Sequence, residues 1–144
     1  MPKIKFFAWL LLVGRLNTRD VLRRRNKHLE EGYNCVMCQD QVLESSLHLF
    51  FECSSAAARW FALGIQWNTQ PDICDMLCNQ RLTAGRPFFM DFFMIATWTI
   101  WKERNDFIFN YKAPSIGSWK RAFKAEVNLH LLRIPPSKRP VIMN

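Results

Sequence analysis

Three cysteines and one histidine stand at the spacing Cys-x2-Cys-x9-His-x4-Cys: Cys35, Cys38, His48 and Cys53. Three thiols and an imidazole make a complete tetrahedral donor set for Zn²⁺, and an opening Cys-x2-Cys fits the spacing that zinc sites favour. Four protein ligands leave no coordination position for water or substrate, so the metal expected here is structural rather than catalytic. The two remaining cysteines, Cys74 and Cys78, sit four apart and share a helix face. A second metal site would need two more ligands, so they are read as simple helix thiols. Glu44 and Glu52 flank the set and are read as solvent-facing or supporting groups, not catalytic acids.

The elements that must position these donors are helical. Residues 4–13 are a Leu-rich apolar run too long for a typical strand, and Gly14 is a natural stop. Asn17 or Thr18 can cap a second helix over Thr18–Asn26, with Val21 and Leu22 inward and Arg19, Arg23, Arg24 and Lys27 outward. Tyr33–Cys38 reads as a knuckle whose backbone N–H groups point at thiolate sulfur, and residues 39–45 as loop. In Glu44–Phe51 the positions Leu47, Phe50 and Phe51 form one apolar helical face. At ~100° per residue, His48 and Cys53 would be turned about 140° apart on an unbroken helix. The helix is therefore expected to end or unwind before Cys53, with Ser54 or Ser55 capping a new one through Ala56–Leu63, anchored inward by Trp60 and Phe61.

Further on, 64–71 is loop and Asp72–Leu82 a moderate helix. Phe88–Phe109 is the longest helical candidate, apolar nearly all round as far as Trp101. It is either buried within a bundle or covered by a partner. Pro114 and Ser115 break it, and Ser118–Arg133 repeats Trp119, Phe123, Val127 and Leu131 every four residues. Trp9, Trp60, Trp98 and Trp101, at helical spacing among Leu and Phe, are assigned to the core rather than to base stacking. The tail 134–144 is expected to be extended or disordered.

Composition bounds the function. The chain has 144 residues, 49% of them hydrophobic, which suits one folded unit and not a disordered tail. Net charge is +8 and uneven: residues 1–27 carry eight Lys/Arg and one acid, 28–75 one Arg and seven acids, and 76–144 eleven Lys/Arg and four acids. The metal segment is acidic and its flanks are basic, so any phosphate contact falls to the flanks. Arg15, Arg19, Arg23, Arg24, Arg25 and Lys27 are the first candidates, and Lys120, Arg121 and Lys124 the second. The five cysteines are an odd number and no signal-peptide pattern is visible, which points to a reducing intracellular compartment, nucleus or cytoplasm. The apolar run Phe88–Trp101 contains Asp91 and is too short to span a bilayer.

These residues resemble a known family. The helix pair with Phe7, Trp9, Leu11, Gly14, Arg15, Leu16, Thr18, Asp20 and Leu22, then Cys35 and Cys38, then Glu44, His48, Leu49, Phe50 and Cys53, then Trp60, is similar to the zinc-binding domain that follows the reverse transcriptase in plant non-LTR retrotransposons. The segment with Trp98, Trp101, Arg104, Asn105 and Phe109 resembles one that often follows it. The stronger resemblance covers roughly 4–67 and the weaker 95–133. No Asp-Asp pair for two-metal nucleotidyl transfer is present, nor a spaced carboxylate set for RNase H-type chemistry. The resemblance implies a fragment or short gene derived from a retroelement.

The reading is thus mainly α: a small helical domain with a Cys3His zinc-stapled loop and two long C-terminal helices. Its parts are a zinc-binding domain over 1–67, a helical extension over 68–133 packed on it, and a tail over 134–144. The function expected is non-catalytic, zinc-stabilised binding of RNA or DNA with little sequence readout, beside a reverse transcriptase module or protein partner and with no membrane. The second expectation is a protein–protein interaction module, or a remnant without selected activity. The apolar segment Phe88–Trp101 is what favours it.

Overall fold

The computed structural model describes residues 2–84 and 88–133, and the 134–144 tail lies outside them. Among the described residues the chain is helical without a strand. The order is α1 (Pro2–Leu12), α2 (Arg19–Arg24), a π-turn (His48–Glu52), α3 (Ser54–Ala62), α4 (Ile73–Ala84), α5 (Phe89–Asn110) and α6 (Ile116–Leu131). Gly14 ends α1 with φ +71, a conformation that L side chains rarely adopt. Ser115 caps α6, its hydroxyl accepting the Ser118 N–H.

α5 is the central element, packed against α1, α4 and α6. Its apolar circumference is covered from within the chain: Phe89, Phe93, Ile95, Ala96 and Ile100 are buried in a core shared with α1, the π-turn, α3 and α6. Thr97 and Thr99 interrupt that face with their hydroxyls satisfied, because each donates to carbonyls three and four residues back. The over-apolar segment Phe88–Trp101 therefore does not call for an outside surface.

An aromatic cluster joins the π-turn, α3 and α5. Phe51, Trp60 and Phe93 stack nearly parallel, with centroids 6.1–6.3 Å apart, and Trp67 closes the cluster edge-on at 5.1 Å from Trp60. Trp60 is the inward anchor expected of α3. Phe61 is not: it is 75% exposed. Neighbouring residues on a helix point about 100° apart, and Trp60 takes the inward direction. Trp98 and Trp101 are half-buried against Phe7. Trp9, expected in the core, is 53% exposed on the outer side of α1. Among the described residues no helix is long and apolar enough to cross a membrane.

Candidate metal centre

Two local devices bring the four donors together. The first is a minimal hairpin. Asn34 and Leu43 form an antiparallel bridge, with Cys35 N–H donating to Val42 at 2.8 Å and Glu44 N–H to Tyr33 at 3.0 Å. The turn between them carries Cys35 and Cys38. The backbone N–H groups of Met37 and Asp40 point at the Cys35 and Cys38 sulfurs, the knuckle arrangement expected for thiolate ligands.

The second device is the π-turn. Cys53 N–H donates to the His48 carbonyl at 2.7 Å, a bond closing five residues rather than four. Widening the turn brings His48 and Cys53 round to the same side. This removes the 140° conflict of a regular helix, and the chain then breaks at Cys53 (ψ 136) before α3 starts. The helix expected from Glu44 in fact starts only at Ser46, and Ser45 caps it, its hydroxyl accepting the His48 N–H at 3.1 Å. Cys53, and neither Ser54 nor Ser55, occupies the cap position of α3. Where the ladder breaks, the Phe50 carbonyl accepts from Trp60 Nε1 at 2.6 Å.

All four donor atoms lie within 4.8 Å of one another. Cys35 and Cys53 sulfurs are 4.0 Å apart, and Cys38 Sγ is 3.4 Å from His48 Nε2. Zn–S near 2.3 Å and Zn–N near 2.0 Å at a tetrahedral angle require roughly 3.8 Å between sulfurs and roughly 3.5 Å between sulfur and nitrogen. Both pairs meet this within a few tenths of an ångström. Cys35, His48 and Cys53 are buried and Cys38 is half-exposed at the rim. The Cys53 thiol is held down to about 5, first by a hydrogen bond from Cys35 and, against the opposing effect of burial, by the N–H groups of Ala56 and Ser55 at the head of α3. The Cys35 thiol is pushed up by that same bond and by burial, and Cys38 is pushed up by burial first. Of the three thiols, Cys53 is thus the one biased toward thiolate, and a bound divalent cation would supply the charge that lets the other two ionise.

Glu44 is the residue whose importance sequence reasoning missed. It lies in the hairpin, not in a helix, and is fully buried. Its carboxylate takes a forked pair of bonds from Arg104 of α5, at 2.6 and 3.0 Å. The same carboxylate accepts the Arg19 N–H at 2.9 Å, and the Glu44 carbonyl accepts the Asp20 N–H at 3.0 Å. Glu44 thereby satisfies the first two free N–H groups of α2. The bridge segment that presents Cys35 is in this way bonded to the start of the basic helix and to the central helix. The neighbour of Arg104, Glu103, pairs with Arg59 of α3 at 2.8 Å and accepts the Ser115 N–H at 3.0 Å. Two successive charged residues of α5 therefore tie down the elements on either side of the metal donors.

The basic candidates divide. Arg15, Arg23, Arg24, Arg25 and Lys27 are exposed, as are Lys120, Arg121 and Lys124 on α6. Arg23 lies over the Tyr33 ring at 5.8 Å, and Arg25 bonds Asn17 Oδ1 at 3.2 Å. Arg19 is a correction: it is 5% exposed and its guanidinium donates to the Asn34 carbonyl at 2.9 Å. It is spent on holding α2 to the hairpin and is not available to phosphate. Cys74 and Cys78 are exposed on α4, apart from the four-donor cluster.

Residues 1–60 match the family described as zinc-binding in reverse transcriptase, a span that holds all four donors, Glu44 and the basic helix. No curated protein and no solved structure matches the chain.

Proposed function

We propose that this chain is a non-catalytic, zinc-clamped nucleic-acid-binding domain derived from a plant non-LTR retrotransposon polyprotein. The match of residues 1–60 to the zinc-binding family of reverse transcriptases and the gathering of three thiols and an imidazole within 4.8 Å support the zinc. When bound, the ion supplies a closed cross-link between hairpin, π-turn and α3, and four protein ligands leave it no open position for chemistry. The observation that carries the binding role is the exposure of Arg15, Arg23, Arg24, Arg25 and Lys27 around a short helix whose buried side is fixed by Glu44 and Arg19. A six-residue helix is too short to hold itself together in water. Its attachment to the metal-bearing hairpin is what allows it to present cations in a fixed array. Backbone phosphate is the chemistry such an array fits, with little sequence readout.

The test is charge reversal. Arg23→Glu, Arg24→Glu and Arg25→Glu together are expected to weaken binding to RNA and DNA oligonucleotides and to flatten its salt dependence. Zinc content and circular dichroism should stay unchanged, because all three side chains are exposed. Binding that survives the reversal removes α2 from the account.

A further inference from the structure

The outer side of α1 presents aromatic rings to solvent where the sequence pattern places core. Phe6, Trp9 and Val13 are 61%, 53% and 46% exposed. At ~100° per residue they fall within about 60° of one another on the helix, opposite the buried residues Ile4, Phe7, Ala8 and Leu11. The Phe6 and Trp9 rings are stacked on each other, with centroids 6.1 Å apart and planes 23° from parallel. Lys3 and Lys5, both exposed, edge this stripe on its two sides. Arg15 follows its far end, and no carboxylate side chain occurs in the chain before Asp20. Large exposed rings edged by Lys3 and Lys5 of their own helix are the makings of a stacking platform for unpaired bases. Their phosphates find the flanking lysines, and any base can stack because every base has a π-face. A duplex, whose bases are stacked on one another, offers no free ring face to this surface.

We propose that the outward stripe of α1, centred on Phe6 and Trp9, is a base-stacking platform that gives this domain a preference for single-stranded nucleic acid. The inference rests on the nucleic-acid reading above but uses a different helix, so the two can fail separately. Full-length zinc-loaded protein is titrated with a fluorescent single-stranded oligonucleotide and with a duplex of the same length. Trp9→Ala is expected to weaken single-strand binding roughly five- to a hundredfold, the range of one lost base–aromatic stack. Duplex affinity and the salt slope should be little changed. Trp9→Phe, which keeps a ring, should retain most of the binding, and Phe6→Ala should repeat the Trp9→Ala result at an independent position. Unchanged single-strand binding in Trp9→Ala and Phe6→Ala, with binding still lost on reversing Arg23, Arg24 and Arg25, overturns the platform and leaves the α2 reading standing. Equal losses for single strand and duplex also overturn it. So does a sedimentation profile in which Trp9→Ala dissolves a self-associated species without altering oligonucleotide affinity, which would make the stripe a protein contact.

Discussion

Replacing Arg104 by Met tests how the metal hairpin is held. The Met side chain has a similar reach and no charge, so the change leaves the Glu44 carboxylate fully buried with only the Arg19 N–H as partner. Removing one member of a buried ion pair costs about 3–5 kcal/mol, mostly because the stranded charge has lost both water and counter-ion. Chains of this size unfold with a total of about 5–15 kcal/mol, so the loss is a large share of it. With a urea slope of about 2 kcal/mol/M, the midpoint of zinc-loaded protein should fall by roughly 1.5–2.5 M at unchanged slope. Arg104→Met combined with Glu44→Gln should recover part of this, since the amide oxygen can still accept the Arg19 N–H without carrying a charge. The assay is equilibrium urea unfolding followed by tryptophan fluorescence, with zinc content measured for each variant. A midpoint within about 0.3 M of the parent protein for Arg104→Met, or strictly additive losses in the double variant, would refute the idea that this pair ties the hairpin to α5.

Four further outcomes follow from single side chains. Cys53→Ser should purify with well under one zinc per chain by elemental analysis and unfold at markedly lower denaturant, since the ligand it removes joins the π-turn to α3. Trp60→Ala should cost roughly 3–5 kcal/mol by urea unfolding, as it deletes a fully buried ring of the aromatic cluster and the hydrogen bond to the Phe50 carbonyl. Phe61→Ala, one position on and exposed, should stay within about 0.5 kcal/mol of the parent protein. Ser115→Ala should cost about 1 kcal/mol in the same assay by removing the α6 cap.

The donor set is legible in the sequence because metal spacing is local: four ligands inside 19 residues. The helix break before Cys53 is legible for the same reason, since a regular helix cannot aim His48 and Cys53 together. That the break takes the form of a π-turn is not, because it depends on the Phe50 and Phe51 rings finding places in a core built partly by α5. Arg19, Trp9 and Phe61 depart from expectation for one shared cause. Helical periodicity says which residues share a face, but a six-residue α2 or a strongly apolar α1 leaves open which face meets the rest of the chain. Charge alone sends Arg19 to solvent, and size alone sends Trp9 and Phe61 to the core. The Glu44–Arg104 pair spans 60 residues, and nothing local in either segment announces it, although both residues stand inside the stretches that carry the family resemblance. The apolar length of α5 is plain from sequence, whereas its burial within the chain needs α1, α4 and α6 in place.

The central claim is that a metal-clamped fold presents the cations of α2 and its flanks to phosphate. It is tested most directly by titrating oligonucleotides against zinc-loaded protein over a range of salt, beside an EDTA-treated control. With Arg15, Arg23, Arg24, Arg25 and Lys27 engaged, log K should fall against log salt with a slope of roughly −3.5 for single strands to −4.5 for duplex. Reversing Arg23, Arg24 and Arg25 should flatten that slope by about 2–3, and stripping the metal should abolish the binding. Zinc-loaded protein that binds no oligonucleotide, or binds with a slope untouched by the reversal and by EDTA, would contradict the account.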